Sequence, residues 1–165
     1  MKIHDVLNWD SGRPQRQDTK YLVVHCSASQ PTAEIGALEI HKMHLSRGWS
    51  GIGYHYVIRR DGSIERGEPH RNRGAHVKGH NYHSVGVCLV GGIAPNGQAE
   101  NNFNPEQFGS LAILLNELHS IYPDAQVLGH RDLSPDIDGD GTVERHEWVK
   151  ECPCFDAGAF WQAIS

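Results

Sequence analysis

Residues Ser84 to Val90 read Ser-Val-Gly-Val-Cys-Leu-Val, an almost continuously apolar run. A strand of that composition offers no face to water and belongs at the centre of a sheet covered on both sides. Tyr21-Leu22-Val23-Val24-His25-Cys26, closed by Ser-Ala-Ser-Gln-Pro, has the same character. Two such strands require helices to cover them, and the chain supplies candidates. Apolar residues recur at helical spacing from Glu34 to Ser46 (Ile35, Leu38, Ile40, Met43), with Gly48 as the stop. Asn104-Pro105-Glu106 is an N-cap followed by proline at the first helical position. The helix it opens reaches about Ile121 and places Phe108, Leu111, Ala112, Leu115 and Leu118 on one face. A last helix is expected near Asp156, packing Phe160 and Trp161.

Shorter strands complete the sheet. Tyr54 to Ile58 runs into the turn Arg60-Asp61-Gly62 and the strand Ser63 to Arg66, a hairpin. Ala125 to Leu128 leads into Gly129-His130-Arg131-Asp132. No repeat or linker interrupts this order. The expected fold class is therefore α/β: a single domain with a central mixed β-sheet flanked by helices. Residues 1–20 are polar, carry Gly12 and Pro14, and read as a loosely attached arm ahead of a domain spanning 21–165.

A chain of 165 residues buries a core of its own without covalent staples. Its formal charge of −5 argues against a nucleic-acid partner. Arg59, Arg60, Arg66, Arg71, Arg73 and Lys78 do cluster in one stretch and read as a solvated surface. No apolar stretch approaches the roughly 20 residues that cross a bilayer, and the N-terminus lacks the apolar run of a signal peptide. Cys26 and Cys88 lie in apolar runs, where a buried free thiol is the default, so synthesis in a reducing cytoplasm is expected.

Histidine is enriched, with 12 of the 165 residues, and it is both the commonest metal ligand and the proton carrier of neutral pH. Two histidines stand directly at strand ends: His25 after Tyr-Leu-Val-Val, and His130 after Gln-Val-Leu-Gly. Lys150-Glu151-Cys152-Pro153-Cys154 adds two thiols in a short proline-containing loop. Two imidazoles and one thiolate make a three-ligand set that leaves a tetrahedral zinc one open position, the pattern of a catalytic site. If Cys154 also served, four protein ligands would instead close a structural site.

These segments stand in a recognisable order. Val-His-Cys-Ser-Ala (24–28), Arg-Gly-Trp-Ser-Gly-Ile-Gly-Tyr-His-Tyr (47–56), Arg-Asp-Gly (60–62) and Gly-Ala-His-Val-Lys-Gly-His-Asn (74–81) come first. Ser84 to Gly92, Gly-His-Arg-Asp and Lys-Glu-Cys-Pro-Cys-Phe-Asp (150–156) follow. Together they resemble the type 2 N-acetylmuramoyl-L-alanine amidases, a family that includes peptidoglycan recognition proteins, and above all its T7 lysozyme branch. The resemblance runs from about Tyr21 to Trp161.

The resemblance implies a zinc-dependent amidase acting on bacterial peptidoglycan, of phage or prophage endolysin type. Carried onto matching positions, it makes His25, His130 and Cys152 the zinc ligands, the Lys-x-Cys-Pro pattern favouring Cys152 over Cys154. Tyr54 and Lys150 become the catalytic pair, with the choice of general base left open, and His76 lines the substrate groove. His44, His55 and His83 read as structural. A monomer is expected, reaching the wall after lysis, holin release or another export route. A family member that lost its thiolate would bind muropeptide without cutting it, but here the full set is present.

One segment departs from the compact members of that branch. Asp136, Asp138, Asp140, Thr142 and Glu147 fall at positions 1, 3, 5, 7 and 12 of a loop with Gly141 at position 6, the rule for an EF-hand-like calcium loop. A single structural Ca²⁺ stiffening the loop before Lys150 and Cys152 is the expectation. The alternative is an acidic turn braced by its own hydrogen bonds.

Overall fold

The computed structural model describes residues 1–165. Its sheet has six strands: β1 (Ile3–His4), β2 (Tyr21–Cys26), β3 (Tyr56–Ile58), β4 (Ile64–Arg66), β5 (Ser84–Leu89) and β6 (Gln126–Gly129). Their spatial order is β1-β4-β3-β5-β2-β6, and only the β3–β4 hairpin is antiparallel. The two apolar runs, β2 and β5, lie side by side at the centre, as their composition demands.

Alternation along β5 sorts the core into two layers. Val85, Val87 and Leu89 join Leu22 and Val24 against the helix α2 (Pro105–Ile121), where Leu111, Leu114 and Leu115 are buried. Cys88 and Val90 face the other way, with Val57, towards Ala37 and Ile40 of helix α1 (Ala37–Ser46). Each large side chain fully buried this way contributes about 1.5–3 kcal/mol. Asn104 caps α2 by accepting from the Gln107 amide at 2.9 Å. Asp156 caps α3 (Ala157–Ile164) by accepting from the Ala159 amide at 2.9 Å. No helix is long and apolar enough to cross a membrane.

Two local expectations change. Helix α1 starts at Ala37, and its buried face is Ala37, Ile40 and His44, while Leu38 and Met43 are exposed. The polar His44 wins the inward position because its Nδ1 accepts the Gly53 amide at 3.0 Å, and His41 Nδ1 likewise accepts that of Ile52. The first hairpin strand is shortened to Tyr56–Ile58, since Tyr54 and His55 belong to the approach to the site.

The N-terminal arm is also tied down more firmly than its polar composition suggests. Ile3 and His4 add an edge strand parallel to β4. Arg13 reaches the carboxylate of Glu68, which has no exposure to solvent, at 2.8 Å and also donates to the carbonyls of Ile52 and Gly51. Arg16 donates to the carbonyls of His70 and Asn72 and to the Tyr122 hydroxyl. Asp5 and Asp10 pair with Arg66 and Arg71, so the basic stretch is partly neutralised by the arm.

Candidate metal centre and active site

Parallel pairing of β2 with β6 sets Val24 opposite Gly129. The next residue on each strand is a histidine, so His25 and His130 emerge together from one end of the sheet, ring centroids 4.7 Å apart. The third donor arrives from the loop before α3. The Arg131 amide donates to the Cys152 carbonyl at 2.9 Å, and the Cys26 amide donates to Cys152 Sγ at 3.2 Å. Cys152 Sγ then lies 3.9 Å from His25 Nδ1. Gly129 allows this approach, because a Cβ there would sit 2.6 Å from Pro153 Cδ.

One ligand atom from each of His25, His130 and Cys152 lies within 4.8 Å of the others. Soft thiolate with two imidazoles suits zinc, and the fit is that of an open three-ligand site. Burial, then the neighbouring His76, His130 and Lys150, pushes His25 well below the usual histidine range. Burial followed by Lys150 lowers His130 to about 4. Both rings are therefore neutral at physiological pH, the form a metal requires.

Cys154 is placed elsewhere. Its thiol donates to the Gly92 carbonyl at 3.4 Å and lies 4.0 Å from Cys26 Sγ, and it is not among the grouped ligands. Its hydrogen bond with Cys26 and then burial raise it far above an ordinary thiol, so it stays protonated. Cys26 is pushed up to about 12, chiefly by its hydrogen bond with Cys152. All four cysteines are free.

A cleft of about 410 Å³ opens beside these ligands, with His76, Lys78, His130 and Lys150 on its walls and Trp49 and Val149 at its apolar edges. A second hollow of about 370 Å³ shares Val77, Lys78, His130 and Val149, so the groove continues past the ligands. Tyr54 stands with its ring 5.1 Å from His25 and 5.6 Å from His44. Burial raises its phenol well above the usual value, so it keeps its proton at neutral pH. His76 lines the cleft yet is only 7% exposed, with Nδ1 2.8 Å from His25 Nε2. His55, read as structural from its alternation, has both ring nitrogens bonded to backbone, at Asn72 and Gly86.

Sequence reasoning misses Trp49 and Val149, and it reads Lys78 as solvated surface where the structure puts it on the groove. Trp49 and Lys78 lie inside the quoted Arg-Gly-Trp and Ala-His-Val-Lys segments, but only the groove gives them a shared purpose. Val149 carries no signal at all.

The carboxylates of the acidic loop fall into two groups that share Asp138. Asp136, Asp138 and Asp140 form one group of exposed carboxylates, whereas Glu147 groups with Asp138, Glu144 and His146. Glu147 is turned inward and accepts the amides of Ile137, Asp138 and Glu144. Those amides, Glu144's first, hold its carboxyl down to about 2. Asp136 accepts from Gly139 and Gly141, and Thr142 bonds to Asp140. The calcium expectation gains no support from this arrangement, which is that of a turn braced by its own bonds. The loop is anchored next to the metal ligands: Arg131 lies over the Trp148 ring at 3.9 Å, and Val149 donates its amide to Ser134 Oγ at 3.0 Å.

A mixed sheet thus sets a His-His-Cys cluster that could hold a metal ion beside an open cleft. Residues 15–153 match the family described as N-acetylmuramoyl-L-alanine amidase, and the chain belongs to that family. It is 43% identical to the endolysin of Enterobacteria phage K11 over 86% of this chain and 85% of that protein. It is 39% identical to the endolysin of Escherichia phage T7, covering 90% and 89%. Among solved structures, the N-acetylmuramoyl-L-alanine amidase LysC from Clostridium intestinale URNW superposes with a TM-score of 0.71 at 30% identity, covering 93% and 89%.

Proposed function

We propose that this chain is a zinc-dependent N-acetylmuramoyl-L-alanine amidase of the endolysin type. It cuts peptidoglycan between the lactyl carbonyl of N-acetylmuramic acid and the L-alanine of the stem peptide. The observation that carries the reading is the meeting of ligand atoms from His25, His130 and Cys152 within 4.8 Å, with His130 on the wall of the cleft. These three would hold the zinc. When bound, zinc supplies a Lewis acid that polarises an amide carbonyl and makes water nucleophilic at neutral pH.

The chain's own groups do the rest. Lys150 stands on the cleft wall beside His130, where its ammonium stabilises negative charge developing on the carbonyl oxygen. Tyr54, holding its proton, donates a hydrogen bond towards the reacting carbonyl or the departing nitrogen. Trp49 and Val149 provide apolar walls for the substrate, and Lys78 lies further along the groove. The bond broken is the lactyl C–N bond; the carbon gains hydroxyl and the L-alanine nitrogen leaves with a proton. The enzyme reaches the wall after lysis, holin release or another export route.

The reading is tested by digesting purified peptidoglycan with zinc-loaded protein and analysing the soluble products by mass spectrometry. Stem peptides with a free L-alanine amino terminus, absent after zinc chelation, are the expected products. Intact glycan-peptide material after prolonged digestion by zinc-loaded protein would instead mean a recognition module that binds without cutting.

A further inference from the structure

We propose that Ser84 and His76 form a hydrogen-bonded relay, anchored on the His80 carbonyl, that fixes the tautomer of His25 and so keeps bare the nitrogen that would bind a metal. The inference rests on the zinc reading for its purpose, but the relay itself is a property of the chain.

The direction of each bond follows from its neighbour. Ser84 Oγ lies 2.7 Å from the His80 carbonyl, which can only accept, so the single hydroxyl proton points there. Ser84 Oγ also lies 3.2 Å from His76 Nε2. With its proton spent, the hydroxyl accepts, and His76 Nε2 carries the hydrogen. A neutral imidazole has one hydrogen only, which leaves His76 Nδ1 bare. That bare nitrogen stands 2.8 Å from His25 Nε2, which must therefore donate. His25 Nδ1 is then left with its lone pair, and it is this atom that faces Cys152 Sγ at 3.9 Å.

The relay is built rigidly. Ser84 has no exposure, His25 has 1% and His76 has 7%. The His76 ring is clasped between two glycines: a Cβ on Gly74 would lie 2.7 Å from its Cδ2, and one on Gly86 2.7 Å from its Cγ. The amides of His76 and Val77 both donate to Asn81 Oδ1 at 2.9 Å, fixing the backbone that presents the ring. Gly74, His76, Asn81, Ser84 and Gly86 are thus parts of one device. His76 acts through His25 and is a positioning residue.

Outer partners of this kind are worth about 10–100-fold in metal affinity. Two measurements test the relay. Long-range proton–nitrogen NMR spectra of the metal-free wild-type chain at neutral pH read the ring tautomers directly. Both His25 and His76 are expected as the Nε2–H form, and either ring found as Nδ1–H overturns the relay. Zinc affinity by chelator competition is the second measurement. His76→Leu should weaken binding about 10–100-fold, while His76→Gln, whose amide both accepts and donates, should recover most of the loss. Wild-type affinity in a folded His76→Leu protein would overturn the proposal. If the wild-type chain itself took up no zinc, the metal centre would fall, and the tautomer spectrum would still decide the relay.

Discussion

The backbone amide of Arg131 donates to the carbonyl of Cys152 at 2.9 Å and helps bring the Cys152 thiol beside His25 and His130. It ties the turn that begins at His130 to the loop that brings the thiol. The acidic loop at 136–147 lies in the chain between these two residues, and the Val149 amide on Ser134 Oγ closes the same segment at 3.0 Å.

Lys150 is two residues from Cys152 but is not a ligand. Lys150→Ala should therefore keep one zinc per chain and lose turnover by about 10²–10³-fold, the usual cost of removing one group that stabilises an oxyanion. Metal analysis and kcat on soluble peptidoglycan fragments, measured side by side, check this. Loss of zinc together with activity would mean that Lys150 shapes the site rather than serving the reaction.

The arm is an integral part of the fold, because Arg13 neutralises the buried Glu68. Removing one partner of such a pair leaves a charge without compensation and costs about 3–5 kcal/mol. Arg13→Ala should lower the urea midpoint accordingly, and removal of residues 1–20 should cost more. An unchanged midpoint in either variant would return the arm to a loose appendage.

Burial lowers His44 and His70 to about 4 and His76 to about 3. Below the unfolded value of about 6.5, the unfolded chain takes up protons that the folded chain refuses. Stability of the metal-free protein is thus complete above pH 6.5 and falls as pH drops towards 4. Each such histidine adds up to about 1.4 kcal/mol per pH unit to the slope. Urea midpoints at pH 7.5 and 5 measure it; equal midpoints would contradict these neutral buried rings.

Glu147 accepts three backbone amides within the acidic loop. Glu147→Gln weakens all three and should lower the melting temperature equally with and without added calcium. A loss seen only in the presence of calcium would show that the loop binds the ion and that its internal bonds are secondary.

Much of this was legible in the sequence, for identifiable reasons. β2 and β5 announced themselves because a strand buried on both faces must be apolar throughout. Asn104-Pro105 marked the start of α2 to the residue. The three donor residues were legible as well, since strand-end histidines and a Lys-x-Cys-Pro loop repeat a family order. The inward turn of His44 was not, because a histidine chosen for the Gly53 amide looks polar in a periodicity. The arm's attachment depends on Glu68 being buried, a tertiary fact. The second role of His76 needed the distances to His25 and Ser84, which no spacing reports. The acidic loop shows the converse: a ligand pattern complete in sequence, with Glu147 turned to backbone amides instead.

The most direct measurement is peptidoglycan hydrolysis by metal-free protein titrated with zinc, with Cys152→Ser and Cys154→Ser proteins in parallel. Wild-type and Cys154→Ser activity should rise to a plateau at one zinc per chain, while Cys152→Ser should stay inactive throughout. Full hydrolysis by metal-free wild type, or by Cys152→Ser, would contradict a zinc amidase built on His25, His130 and Cys152.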